Sequence, residues 1–271
     1  MKPHWLFFCL SFVSLQFYAQ ENLQPRWKMR WSVPVKGNAI EVDNLGDVYI
    51  LANQDILKYK NGGQFYRSYS NKSLGNISRI DVSNPLKTLV FYRDLSRLVF
   101  IDNTLSEQKE NVYLERFERE FASLACTSND ENGFWLFDPV AFSLTRYNQK
   151  MNVKAEVLNI NQLTGKAINP VWMIERGNRL YLVDSKNGVL LFDIFGTYLK
   201  TIPIHGITKL WVDGELLVAL NDKKELIQCS VSGIDREIIP LPETDFGDIG
   251  WNAGRLYLLG KEMLTVYESE N

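Results

Sequence analysis

The side chains that could do chemistry in this chain are sparse. Of its two histidines, His4 lies at the extreme N-terminus and His205 sits in Pro203-Ile-His-Gly206. A Ser-His-Asp triad or a multi-histidine metal centre needs more than one unsupported imidazole. No carboxylate near His205 in the sequence is placed to orient it, so it reads as a loop or channel-mouth residue. Cys9, Cys126 and Cys229 are the three cysteines. The last two fall in separate structural units and read as small buried hydrophobes, not as a disulfide. The chain has no phosphate-cradling glycine loop, zinc-ligand spacing or dinucleotide fingerprint.

A second set of polar side chains stands about 40 residues apart, with one gap of about twice that: Asn38, Arg79, Asn169, Lys209 and Asp248. Each opens, or nearly opens, an apolar motif, and together they are candidates to line the mouth of a central channel. Calcium asks for six to eight oxygen ligands, several of them carboxylates. This set offers one carboxylate and two cations, which argues against a metal-dependent hydrolase, although Asp43, Asp81 and Asp213 lie close enough in sequence to approach the same axis. No metal, cofactor or catalytic residue is expected.

The third group is aromatic and charged. Ser106–Glu120 reads SEQKENVYLERFERE, with Tyr113, Phe117 and Phe121 at helical spacing. A solvated strand and connector is the favoured reading over a helix. Tyr113, Arg116 and Phe117 are the first choice for a protein-docking surface. Trp172 and Trp211 occupy similar places in neighbouring units and read as packing between them rather than as ligand anchors.

The elements that must carry these residues follow from a repeat. A pattern of apolar, two variable, apolar, variable, apolar recurs with its middle apolar residue at Ile40, Ile80, Leu124, Val171, Leu210 and Ile249. Each copy is followed by a turn, a strongly apolar run such as Leu180-Tyr-Leu-Val183, a third run such as Val189-Leu-Leu-Phe192, and a more polar fourth run such as Tyr198-Leu-Lys-Thr-Ile202. Four short strands in a unit of about 40 residues is the mark of a propeller blade. The inner strands are apolar on consecutive positions because both faces of a blade are covered by its neighbours. The expected fold is all-β: a six-bladed β-propeller of four-stranded blades. The last unit ends after three strands, while Arg26–Val35 (RWKMRWSVPV) precedes the first. That segment is expected to complete the last blade and close the ring, with Trp27, Met29 and Trp31 on its buried face.

Composition narrows the setting. The 271 residues carry a net charge of −2 and are 45% hydrophobic, so no basic surface for nucleic acid is implied. Trp5–Ala19 (WLFFCLSFVSLQFYA) follows a single lysine and has the length of a signal-peptide core, too short to span a bilayer comfortably. Residues 1–19 are therefore expected to be a signal peptide. Residues 20–271 are expected to form one propeller domain without a transmembrane segment, exported and periplasmic.

Asn178–Ile202 (NRLYLVDSKNGVLLFDIFGTYLKTI) resembles one unit of the NHL-repeat propellers, and Gly46–Ser68 and Gly254–Tyr267 are weaker matches. The arginine usual after the asparagine in those units is replaced by Gly188. The resemblance implies a six-bladed ring and a binding role. The chain is also similar to small propellers of outer-membrane machinery, among them the plug subunit of the Type IX secretion translocon. That similarity implies a protein partner, such as an outer-membrane barrel complex. The competing expectation is a lactonase-like or other hydrolase with a metal or ligand site in the channel.

Overall fold

The computed structural model describes residues 26–108 and 111–270, so the expected signal peptide lies outside the described residues. Strand β1 (Arg26–Pro34) comes first. Blade 1 is β2 (Ala39–Val42), β3 (Val48–Ala52), β4 (Asp55–Tyr59) and β5 (Phe65–Ser70). Blade 2 is β6 (Arg79–Asp81), β7 (Thr88–Tyr92), β8 (Arg97–Ile101) and β9 (Val112–Tyr113). Blade 3 is β10 (Leu124–Ser128), β11 (Gly133–Asp138), β12 (Ser143–Tyr147) and β13 (Val153–Val157), and a short helix α1 (Ile160–Thr164) leads to blade 4. That blade is β14 (Pro170–Arg176), β15 (Arg179–Asp184), β16 (Gly188–Asp193) and β17 (Tyr198–Ile202). Blade 5 is β18 (Ile207–Asp213), β19 (Leu216–Asn221), β20 (Leu226–Ser230) and β21 (Glu237–Ile239). β22 (Asp248–Asn252), β23 (Arg255–Leu259) and β24 (Met263–Glu270) supply three strands of blade 6.

Its fourth strand is β1. The order in that sheet is β1-β24-β23-β22, and Trp27 faces Ser269 while Pro34 faces Met263 in an antiparallel register. The chain is thus a six-bladed propeller of four-stranded blades with its N-terminal strand sewn into the last blade. Trp27 and Trp31 are half-buried as expected. Trp27 donates from Nε1 to Pro240 O (2.6 Å) and meets Trp251 edge-on. Met29 departs from the expectation at 60% exposure, because a bulge between Met29 and Trp31 breaks the alternation.

Six apolar clusters lie between adjacent blades, one for each blade–blade interface. This explains the continuous apolar runs of the second and third strands: each sheet buries both faces against its neighbours. Turns at the strand ends are held by aspartates. Asp184 Oδ1, for example, accepts from the backbone N–H of Lys186 (2.9 Å) and Asn187 (2.7 Å). Gly188 follows this turn at φ +103°, where an added Cβ would stand 2.3 Å from Ile202 O.

The register of two inner strands differs from the sequence pattern. The residues equivalent to Ile40 and Ile80 are Ala125 and Met173, each facing the corresponding position of the second strand, and not Leu124 and Val171. In blade 3 the frame is carried by the small residues Ala122 and Ala125, while Phe121 is 59% exposed. In blade 4 the frame lies two residues later than the sequence pattern places it, so Val171 falls at the bulge between Pro170 and Trp172 and is exposed.

Candidate functional site

The inner strands bring side chains from five blades together on the axis. Lys209 of β18 is buried and donates to Ile40 O (2.6 Å), Ile249 O (3.0 Å) and Asp248 Oδ2 (3.0 Å), with Glu41 Oε1 at 3.2 Å. Its ammonium also lies 5.4 Å from the Trp172 ring and 5.5 Å from the Trp211 ring. Arg79 of β6 reaches across to blade 4, donates from Nη2 to Met173 O (2.7 Å), and stacks 3.4 Å from the Trp172 ring centroid. Asp248 Oδ2 also accepts from Ile40 N (2.9 Å), tying blade 6 to blade 1.

Electrostatics here are set by burial against pairing. Burial pushes the Glu41 carboxyl above the usual carboxylate range, with Lys209 and Arg79 pulling the other way. Burial likewise opposes the Lys209 ammonium, but Glu41 and Asp248 outweigh it and hold its pKa above the ordinary lysine value. One layer on, burial opposes the Asp81 carboxylate, yet Arg176 and hydrogen bonds from Ser83 hold it below the ordinary range. Asp81 Oδ2 also accepts from Thr127 N (2.8 Å) and Oγ1 (2.9 Å) of the next blade. Between blades 3 and 4, Glu175 accepts from Trp135 Nε1 (2.6 Å) and Asn129 N (2.9 Å). Three buried donors on the axis, Arg79 Nε, Arg79 Nη1 and Trp172 Nε1, have no hydrogen-bond partner among the described residues.

Of the five residues expected at the channel, three converge: Arg79, Lys209 and Asp248. Asn38 does not; its exposed Oδ1 accepts from Asn53 N (3.2 Å) on the rim. Asn169 does not either, because it precedes β14 on an exposed connector, where its backbone N–H bonds Asp184 Oδ2 (2.6 Å). Glu41, absent from the expected set, completes the cluster. Trp172 and Trp211 are not in equivalent positions, since by register Trp172 matches Lys209 and Trp211 matches Ile174, and both rings face the axial lysine. His205 is exposed with Nδ1 2.8 Å from Lys186 O, a loop residue. Cys126 and Cys229 are buried free thiols in blades 3 and 5, and burial pushes both thiols up. Among the described residues no group of three or more His, Cys, Asp or Glu side chains could hold a metal ion.

Among the described residues, cavities open at the axis and at the perimeter of the ring. A funnel of about 810 Å³ lies where the inner strands turn into the second strands, lined from all six blades by Asn44, Asn84, Asn129, Asn252, Arg176 and Asp213 among others. A groove of about 900 Å³ lies at the perimeter between blades 2 and 3, and it is walled by Tyr113, Arg116 and Phe117. The described part of the charged segment that carries them, 111–117, does not project. It forms the short strand β9 and a 3-10 turn, Leu114–Phe117, pinned by the fully buried Leu114. Tyr113 lies under the guanidiniums of Arg97 (4.1 Å) and Arg116 (4.7 Å). Phe117 packs on Tyr147 (5.7 Å).

The fold and its axial cluster define a six-bladed β-propeller. The chain is similar in structure to a streptogramin B lyase (TM-score 0.62, 10% identity, covering 91% of this chain and 98% of that one) and to virginiamycin B lyase from Staphylococcus aureus (0.61, 12%, 90% and 99%). It is also similar to PorZ, an essential surface component of the type-IX secretion system of Porphyromonas gingivalis (0.54, 14%, 90% of this chain), of which it spans 39%. At these identities the likeness is one of fold. No protein-family model and no curated protein matches the sequence.

Proposed function

We propose that this chain is a non-catalytic, exported propeller that binds a protein, and that the partner docks in the groove between blades 2 and 3. The observation that carries the reading is the groove itself, where an aromatic wall and an exposed arginine meet in one concavity. The axis supports it, because Lys209, Glu41 and Asp248 are engaged with one another across the blades and Arg79 is held by the Met173 carbonyl and the Trp172 ring, which suits a rigid platform. The finer reading is a periplasmic subunit of an outer-membrane secretion complex, such as the plug of a Type IX translocon. It draws on the signal-peptide character of residues 1–19 and on the structural likeness to PorZ.

A photo-crosslinking residue placed at Phe117 in the native host tests it. The expected result is one dominant adduct to an outer-membrane or secretion component. The absence of an adduct, with the protein folded and exported, would overturn the reading.

A second reading is a hydrolase or ligand site in the channel, and the funnel together with the unsatisfied buried donors of Arg79 and Trp172 favours it. It requires turnover of a lactone or ester substrate that is lost in Arg79→Met.

A further inference from the structure

We infer that the groove between blades 2 and 3 is built to take an acidic, extended segment of a partner protein; this rests on the docking reading above and names the partner's chemistry. The chain as a whole is acidic, with 32 Asp and Glu against 30 Lys and Arg. The groove departs from that balance. Arg116 and Lys150 line it and are exposed, and Arg97 stacks on the far face of Tyr113. Among the described residues none of these three cations meets a carboxylate. The one carboxylate on the wall, Glu131, is already engaged by Lys154 (2.8 Å) and by Asn148 Nδ2 (2.8 Å). Glu115 and Glu118 sit on the adjacent turn but outside the groove lining. An incoming carboxylate therefore finds cations that no carboxylate among the described residues neutralises.

The backbone of such a segment is provided for as well. β9 is the outer strand of blade 2, with β8 on one side only, so among the described residues no strand pairs with its other edge, where strand addition would take place. Beside it, Asn111 Oδ1 is a buried acceptor and Arg97 Nε a buried donor, and neither has a hydrogen-bond partner among the described residues. Of the two, Asn111 is on the groove lining, where a peptide N–H would satisfy its acceptor. The floor made by Phe117 and Met151 is apolar, which suits the methylenes of Glu better than a fully hydrated polyanion.

The test uses two fluorescein-labelled decapeptides, one of alternating Glu and Gly and one of alternating Gln and Gly, titrated with the purified protein and followed by anisotropy. The Glu peptide is expected to bind about tenfold or more tightly than its Gln counterpart at low salt, and to weaken as ionic strength rises. Arg116→Glu/Lys150→Glu is expected to erase that preference while leaving the melting curve unchanged. Equal affinity for the two peptides, or an undiminished preference in the charge-reversed variant, would overturn the inference. If Phe117 crosslinks to a partner but the Glu peptide shows no preference, the acidic-segment inference falls and the docking reading stands. If both measurements fail, both fall.

Discussion

Replacing Lys209 by methionine keeps most of the side-chain volume and removes the ammonium that joins blades 5, 6 and 1. Two carboxylates, Glu41 and Asp248, then lose their closest cation, and the carbonyls of Ile40 and Ile249 lose a donor. Removing one partner of a buried ion pair costs about 3–5 kcal/mol, because the remaining charge stays desolvated. In a chain of this length that corresponds to a fall of roughly 10 °C in melting temperature.

The loss is also pH-dependent, and the sign follows from Glu41. Its folded pKa already stands above its unfolded value. The folded state therefore holds a proton that the unfolded state has released, and stability declines as pH rises from the unfolded to the folded value. Without Lys209 the folded value climbs further, so the deficit of Lys209→Met is largest at neutral pH and shrinks as the pH falls toward about 4. Adding Glu41→Gln should recover much of the loss. The assay is chemical denaturation of wild type, Lys209→Met and Glu41→Gln/Lys209→Met at pH 5 and pH 7.5. A Lys209→Met protein within about 1 kcal/mol of wild type at both pH values would refute the view of the axis as a mutually dependent charge cluster.

Three further outcomes follow. Asp81→Asn should destabilise by about 1–3 kcal/mol at neutral pH. Because Asp81 titrates below its unfolded value, the stability it contributes is present above about pH 4 and lost as pH falls through the folded value, so wild type and variant should converge in acid urea titrations. Gly188→Ala should cost about 2–4 kcal/mol by thermal denaturation, since φ is +103° and the added carbon would stand 2.3 Å from a backbone carbonyl oxygen. Cys126 and Cys229 should resist a thiol-reactive dye at pH 8 in the native protein and react together on unfolding.

The blade count was legible because burial on both sheet faces leaves an apolar signature in every second and third strand. The role of the N-terminal strand was legible because the last unit ends a strand short. The inner strands were harder. In blade 3 the core positions are Ala122 and Ala125, too small to stand out beside Phe121, which is exposed. In blade 4 the frame lies two residues past the sequence match, so Asn169 leaves the channel and Trp172 enters it.

Glu41 was missed because a charge between two apolar residues reads as the solvent side of a strand. In a ring, that side of an innermost strand faces the axis. The missing signal was pairwise: Glu41, Arg79, Lys209 and Asp248 fall on the axial face of four different inner strands with opposite charges, which only an alignment of the six units in correct register would expose. Tyr113, Arg116 and Phe117 could be picked from charge and aromatic spacing, but the groove they wall is made partly by Asn148–Asn152, some 35 residues away, and no local pattern shows that.

Closure of the ring by β1 is the claim on which the axis and the groove both depend, and a paired cysteine substitution tests it most directly. Ser32 and Thr265 are directly opposite on β1 and β24, with their hydroxyls 3.3 Å apart. Ser32→Cys/Thr265→Cys should oxidise to an intramolecular disulfide under mild conditions and raise the unfolding free energy by up to about 5 kcal/mol, as expected for so long a closed loop. A double variant that stays reduced, or forms only intermolecular dimers, would contradict it.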